Sequence, residues 1–175
     1  MSKAIAKKIC MVGPFAVGKT SLVRRFVDSI FSDNYLTTIG VKISKKVVQT
    51  TNHQVNLMIW DIEGVDIFTA LKPSNLRGAA GIFLVLDGTR ANSLEIATDI
   101  HKTLCEYLPN TPIVCLLNKS DLSCDWKLGS YDLQELEKLG MTTIRTSAKT
   151  GENVERAFQL IVDEMELNSG GSKAT

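Results

Sequence analysis

No stretch of this chain approaches the roughly 18 uninterrupted apolar residues that a bilayer-spanning helix requires. The longest apolar runs, Gly81–Leu86 and Ile113–Leu117, are of strand length. The N-terminus, Met1-Ser-Lys-Ala-Ile-Ala-Lys-Lys, lacks a sustained apolar segment with a small-residue cleavage site, and residue 2 is Ser where N-myristoylation needs glycine. Proline is scarce, with 4 residues, and a content of 44% hydrophobic and 22% charged residues excludes a disordered, collagenous or low-complexity chain. An excess of either charge is missing too. Lys and Arg number 20 against 19 Asp and Glu, so no bulk electrostatic term favours nucleic acid or an anionic membrane, and no nucleic-acid partner is expected. The 4 cysteines, Cys10, Cys105, Cys115 and Cys124, contain no Cys-x-x-Cys pair, which argues against a metal cluster or disulfide framework and for reduced thiols in a cytoplasmic protein.

What is present is one domain's worth of alternating structure in 175 residues. Ile5–Val12 is a short apolar run, followed by a Gly/Pro-marked loop and a helical pattern over Ser21–Val27 with Leu22, Val23 and Phe26 on one side. Ile39–Thr50 and Gln54–Asp61 are rich in β-formers and flank the break Thr51-Asn52-His53, which predicts an antiparallel hairpin. Strand-like runs at Gly81–Asp87, Pro112–Leu117 and Met141–Thr146 then alternate with helical stretches near Ser93–Tyr107, Tyr131–Leu139 and Asn153–Leu167. The last of these places Val154, Ala157, Phe158, Ile161 and Met165 on one face, with Asn153 as a candidate cap. The expectation is a doubly wound α/β domain over residues 1–167, with a six-stranded, mainly parallel sheet, one antiparallel hairpin and about five helices. Asn168–Thr175, rich in Ser and Gly, reads as a flexible tail.

Gly13-Pro14-Phe15-Ala16-Val17-Gly18-Lys19-Thr20 fits the phosphate-binding pattern G-x-x-x-x-G-K-[ST], with a strand before it and a helix after it. Gly13 and Gly18 let the chain wrap so that backbone N–H groups and the helix N-terminus face a polyphosphate. Lys19 supplies a point charge between the outer phosphates, and the Thr20 hydroxyl is placed to ligate Mg²⁺. Asn118-Lys119-Ser120-Asp121 follows an apolar strand at the edge where open α/β sheets bind ligands. Asp121 could accept from guanine N1–H and the exocyclic amine together, a donor pair adenine lacks on that edge, while the Lys119 stem lies along the ring. Ser147-Ala148-Lys149 after the final strand completes the base-binding set.

These residues, taken in order, resemble the Ras superfamily of small GTPases, and within it the Rab branch, over about residues 5–167. Tyr35-Leu-Thr-Thr38-Ile-Gly-Val resembles switch I, Trp60-Asp61-Ile-Glu-Gly64 resembles switch II, and Leu76-Arg77-Gly78-Ala79-Ala80-Gly81 resembles the approach to the fourth strand. The resemblance implies GTP or GDP as ligand and Mg²⁺ held by Thr20, by Thr38 and, through water, by Asp61. It implies nucleotide contacts from Gly13, Phe15, Ala16, Val17, Gly18, Lys19, Thr20 and Ser21. Phe31, Tyr35, Thr38 and Gly64 belong to the same set, as do Asn118, Lys119, Asp121, Ser147, Ala148 and Lys149. Phe31 would pack on guanine, the Ala148 N–H would meet its carbonyl, and the Gly64 N–H would sense the γ-phosphate.

Two departures bear on catalysis. The family's D-T-A-G-Q is here Asp61-Ile62-Glu63-Gly64-Val65, so the glutamine that orients the attacking water is absent. Phe15 stands where Ras proteins have Gly and Rabs commonly a small residue, and its ring would crowd the γ-phosphate and the approach of an activating arginine. No cis arginine is apparent: Arg24 and Arg25 fall on the helix, and Tyr35 occupies the position three before Thr38 where heterotrimeric α-subunits carry one. Glu63 is the odd gain, because a carboxylate about 4 Å from a γ-phosphate oxygen repels it by on the order of 4 kcal/mol at an effective dielectric near 20. It has three readings: a solvent-facing or salt-bridged side chain, a brace for an altered switch, or a catalytic substitute acting on water beside Gly64. His53 and His101 read as surface residues, and Ile39, Val41, Trp60 and Phe68 as an apolar effector surface, with core packing an equal option for Trp60.

The resemblance implies a GTP-dependent switch with slow hydrolysis, acting on effectors and served by an exchange factor and an activating protein that supplies groups in trans. The alternative is a binding module, or pseudo-GTPase, that holds GTP almost permanently. An ATPase or kinase is opposed by the Asn118-Lys119-x-Asp121 motif. The printed end, Asn168-Ser-Gly-Gly-Ser-Lys-Ala-Thr175, has no cysteine to prenylate. Either a lipidated tail was removed, or the protein has no direct lipid anchor and any membrane recruitment runs through partners.

Overall fold

The computed structural model describes residues 4–34, 38–64 and 71–170; Tyr35, Val65 and Phe68 lie outside the described residues. Three strands explain the architecture, because each is apolar on both faces. In β1 (Ile5–Val12), Ile9 and Met11 enter one core while Cys10 and Val12 enter the other. In β4 (Gly81–Asp87), Phe83 and Val85 alternate in the same way with Ile82, Leu84 and Leu86; β5 (Ile113–Asn118) does so with Val114 and Leu116 against Ile113, Cys115 and Leu117. A strand with period 2 and no polar face must be covered on both sides, which is the condition for a parallel sheet between helix layers.

The sheet runs β2-β3-β1-β4-β5-β6, with β3 being Gln54–Ile62, β2 Val41–Gln49 and β6 Thr142–Arg145. All described pairings are parallel except the β2–β3 hairpin. α1 (Lys19–Asp28) and α5 (Val154–Gly170) cover one face, where the Phe26 and Phe158 rings stack at 3.7 Å and Phe83 meets Phe158 edge-on at 4.9 Å. α2 (Pro73–Leu76), α3 (Ser93–Tyr107) and α4 (Ser130–Lys138) cover the other. β1 lies between β3 and β4, so the chain reverses its direction of winding there, and the loop after β1 opens at that switch point.

Several boundaries differ from expectation. α1 begins at Lys19 because Gly18, at φ 102, caps it in the left-handed region and brings Lys19 and Thr20 into the first turn. α2, a single turn opened by Pro73, is too short to show periodicity. α5 continues to Gly170, so residues 168–170 are helix and not tail: Ser169 Oγ donates to the Met165 carbonyl at 2.8 Å and accepts from Lys7 Nζ at 3.1 Å, and the Asn168 amide donates to Asn110 O. Asn153 does not serve as the expected side-chain cap; its amide donates to the Arg145 carbonyl at 2.9 Å and ties α5 to β6. His53 is no free surface residue either, since it is half-buried with Nε2 3.5 Å from Glu166 on α5. Among the described residues no helix is long and apolar enough to cross a membrane.

Candidate nucleotide site

The loop between β1 and α1 is shaped by two close approaches. A Cβ on Gly13, at φ 154, would lie 2.2 Å from the Val85 carbonyl oxygen of β4, and one on Gly18 would lie 2.3 Å from Asn118 Nδ2. Only glycine lets the chain pass both neighbours. The Lys19 side chain folds under this loop, 6% exposed, and donates to the carbonyls of Gly13 at 3.0 Å and Pro14 at 2.7 Å. Burial lowers its pKa to about 8; the Asp61 charge opposes that shift and the Arg90 charge adds to it. A buried ammonium held by neutral carbonyls is a cation in want of an anion.

Beside it three oxygens converge from three elements. Thr20 Oγ1 donates to Asp61 Oδ2 at 2.6 Å, Thr38 Oγ1 reaches the same oxygen at 3.2 Å, and the two hydroxyls are within hydrogen-bond reach of each other. Asp61 Oδ1 is buried and has no hydrogen-bond partner among the described residues. Burial raises the Asp61 carboxyl above its ordinary range, against the Thr20 bond, the Lys19 charge, the Thr38 bond and the Lys42 charge. One carboxylate, two hydroxyls and an orphaned carboxylate oxygen fit a hard divalent cation that takes its remaining oxygens from phosphate and water.

At the other end, Asn118 is a clasp. Its amide donates to the Val17 carbonyl at 2.9 Å, and its oxygen accepts from Thr146 Oγ1 at 3.2 Å and from the Ala148 N–H at 3.3 Å. Ser147 Oγ donates to Asp121 Oδ1 at 2.6 Å, which fixes that carboxylate at the mouth of the pocket. From α1, Arg25 Nε donates to the Ala148 carbonyl at 2.8 Å and Nη2 to that of Lys149, so the loop after β6 is tied to α1. Lys119 Nζ sits 2.7 Å from Asp87 Oδ2. Burial alone would raise the Asp87 carboxyl, but hydrogen bonds from Lys119 and Thr89 outweigh it and hold the group below its usual range.

These ends enclose one cavity of about 380 Å³. It brings together Phe15, Ala16, Gly18, Lys19, Thr20, Ser21, Phe31, Thr38, Gly64, Asn118, Lys119, Asp121, Ala148 and Lys149. Gly13, Val17 and Ser147 stand behind its wall as supports, and Tyr35 lies outside the described residues. Sequence reasoning missed Ser32, Asp33, Asn34 and Leu122 in the lining and the supports Arg25, Asp87 and Arg90. Asp87 alone left a trace, as a charged residue ending an otherwise apolar strand.

Residues 8–167 match the Ras family. The chain belongs to the Ras family. It is similar to the Ras-related protein RabC of Dictyostelium discoideum, 32% identical over 177 residues that cover 99% of this chain and 90% of that protein. Human Ras-related protein Rab-7L1 is 36% identical over 172 residues, covering 93% of this chain and 83% of its own. Rat Ras-related protein Rab-31 is 35% identical over 175 residues, covering 95% and 90%. The similarity is to Rab-like small GTPases and supports a GTP-binding switch protein.

As a Ras-family chain it is unusual around Gly64. A Cβ there would come within 2.8 Å of Phe15 N and Cα and 2.9 Å of Phe15 Cδ1, so the Phe15 ring rests on Gly64. The preceding residue is engaged as well. The Glu63 N–H donates to the Gly40 carbonyl at 2.8 Å, and Glu63 Oε2 accepts from the Gly40 N–H at 3.1 Å, extending the hairpin ladder one pair beyond Val41↔Ile62. The Glu63 carboxylate is thus tied to the residue before β2. Trp60 is half-buried with Lys8 Nζ 3.5 Å above its ring, while Ile39 is 86% exposed.

Proposed function

We propose that this protein is a Mg²⁺-dependent GTP/GDP switch whose intrinsic hydrolysis is slow, and that protein effectors, an exchange factor and an activating protein act on its switch surface. The observation that carries the reading is the joining of Thr20, Thr38 and Asp61 at the phosphate end of the cavity that Asp121 and Lys119 define at the other. In this reading Lys19 and the loop N–H groups neutralise and orient the polyphosphate, and Asp121 selects guanine. Ser147 and Asn118 hold the base loop in place. Thr20, Thr38 and Asp61 would hold a divalent cation, which would supply neutralising charge to the phosphates.

Slow hydrolysis is supported by what surrounds Gly64. The Glu63 carboxylate is spent on the Gly40 N–H, and the Phe15 ring takes the space beside Gly64. The same packing favours the second reading, a GTP-holding module regulated by exchange. Exposed Ile39, Ile43 and Val47 offer apolar contacts to an effector. A cytoplasmic setting belongs to the proposal.

The test loads purified protein with one equivalent of GTP and Mg²⁺, denatures aliquots over a day and separates GTP from GDP by ion-pair chromatography. A glutamine-containing Ras-family protein runs in parallel. GDP accumulating more slowly than in the parallel protein is the expected result, and GTP that does not decline selects the holding module. Equal rates overturn the slow-hydrolysis reading. Glu63→Gln, which still offers Gly40 an acceptor, is expected to leave single-turnover hydrolysis within about twofold, whereas loss of a general base would cost on the order of 10² or more.

A further inference from the structure

Three successive carbonyls of the phosphate loop each accept a hydrogen bond from a cation. Lys19 takes those of Gly13 and Pro14, and Arg90 Nη1, from the loop after β4, takes that of Phe15 at 2.9 Å. The second of these cations is unexpected from sequence. A trans peptide is planar, so its C=O and N–H point to opposite sides, and holding the Phe15 oxygen outward aims the Ala16 N–H inward. Ala16 lines the nucleotide cavity and Arg90 does not, which puts the guanidinium on the outer side of the loop. Ala16 also sits at φ 59, a left-handed conformation that is unfavourable for a non-glycine residue and needs to be held from outside.

Arg90 is itself held. Its Nε lies 3.4 Å from Asp87 Oδ2, and Asp87 is fixed by the Thr89 N–H at 2.9 Å, Thr89 Oγ1 at 2.6 Å and Lys119 Nζ at 2.7 Å. The planar fork of arginine can engage Asp87 and the Phe15 carbonyl at once; a lysine ammonium is a single point charge. We propose that Arg90 is a positioning residue of the phosphate loop: oriented by Asp87, it fixes the Phe15–Ala16 peptide so that the Ala16 N–H faces the outer phosphates of a nucleoside di- or triphosphate. This rests on the guanine-nucleotide reading given above.

Arg90→Ala is expected to speed the release of a fluorescent GDP about tenfold, the worth of one charge-assisted hydrogen bond. Binding of GMP, which lacks the outer phosphates, is expected to stay unchanged, as is the thermal midpoint of the nucleotide-free protein. Arg90→Lys is expected to release GDP about as fast as the alanine variant. Wild-type release from Arg90→Ala overturns the proposal, and so does full rescue by lysine, which would reduce the effect to net charge. An equal loss for GMP and GDP overturns it as general loosening. A defect confined to GTP hydrolysis, with GDP release untouched, overturns it by assigning Arg90 to the reacting phosphate. Failure of the underlying reading looks different, because the wild-type protein would then retain neither GDP nor GTP, and the proposal would fall with it.

Discussion

Gly18→Ala is expected to strip the protein of guanine nucleotide and to destabilise it by roughly 3–5 kcal/mol. The new methyl group would lie 2.3 Å from Asn118 Nδ2 at a backbone φ of 102 that alanine resists. Asn118 cannot yield cheaply, because its amide holds Val17 O while its oxygen accepts from Thr146 and Ala148. One displaced carboxamide therefore loosens the phosphate loop and the base loop together. Nucleotide affinity is expected to fall on the order of 10² to 10³. Chromatography of nucleotide released from the purified variant checks the loss, and urea denaturation of the nucleotide-free forms checks the stability. Retention of nucleotide at wild-type level would show that the Asn118 clasp is dispensable.

Lys19→Met is expected to act in opposite directions on binding and on stability. Affinity for GDP and GTP falls on the order of 10² to 10³, because the polyphosphate loses a buried cationic partner. The nucleotide-free variant is expected to be more stable than wild type by roughly 1–3 kcal/mol at pH 7. The sign follows from the Lys19 pKa of about 8 in the folded protein against an ordinary 10.5. Between those values the unfolded chain binds more protons, so the cost of burying the charge is complete below about pH 8 and is relieved as pH rises towards 10.5. A polyphosphate raises the same pKa, so binding takes up a proton above about pH 8 and wild-type affinity falls with pH there, by at most about tenfold per unit. Titrations with fluorescent GDP between pH 7 and 9.5 read that slope, which the methionine variant is expected to lack. An unchanged slope in that variant would assign the titration to another group.

The strands and motifs were legible because they depend on local chemistry. β4 is apolar along its length until Asp87, the glycine-lysine loop has a fixed spacing, and Asn118-Lys119-x-Asp121 follows a strand end. The supports were illegible because they join residues far apart in the chain. Nothing in Arg25 announces that it will hold the carbonyls of Ala148 and Lys149, or in Glu63 that its carboxylate will meet the Gly40 N–H. The last three residues of α5 were hidden for the same reason, since Asn168 and Ser169 are poor helix formers held by Asn110, Met165 and Lys7. Residue types marked the two candidate ends of the cavity, and only packing disclosed what holds them apart.

Asp87 has a consequence for how any set of variants must be scored. Its one carboxylate is shared by Lys119 from the loop after β5 and Arg90 from the loop after β4, at 2.7 and 3.4 Å. Thr89 occupies Oδ1, so the two cations compete for Oδ2, and the energetic worth of each depends on whether its rival is present. The contributions of Lys119 and Arg90 are therefore not separable, and a free-energy sum over single substitutions will miscount the pair by the amount that a double-mutant cycle on the two measures.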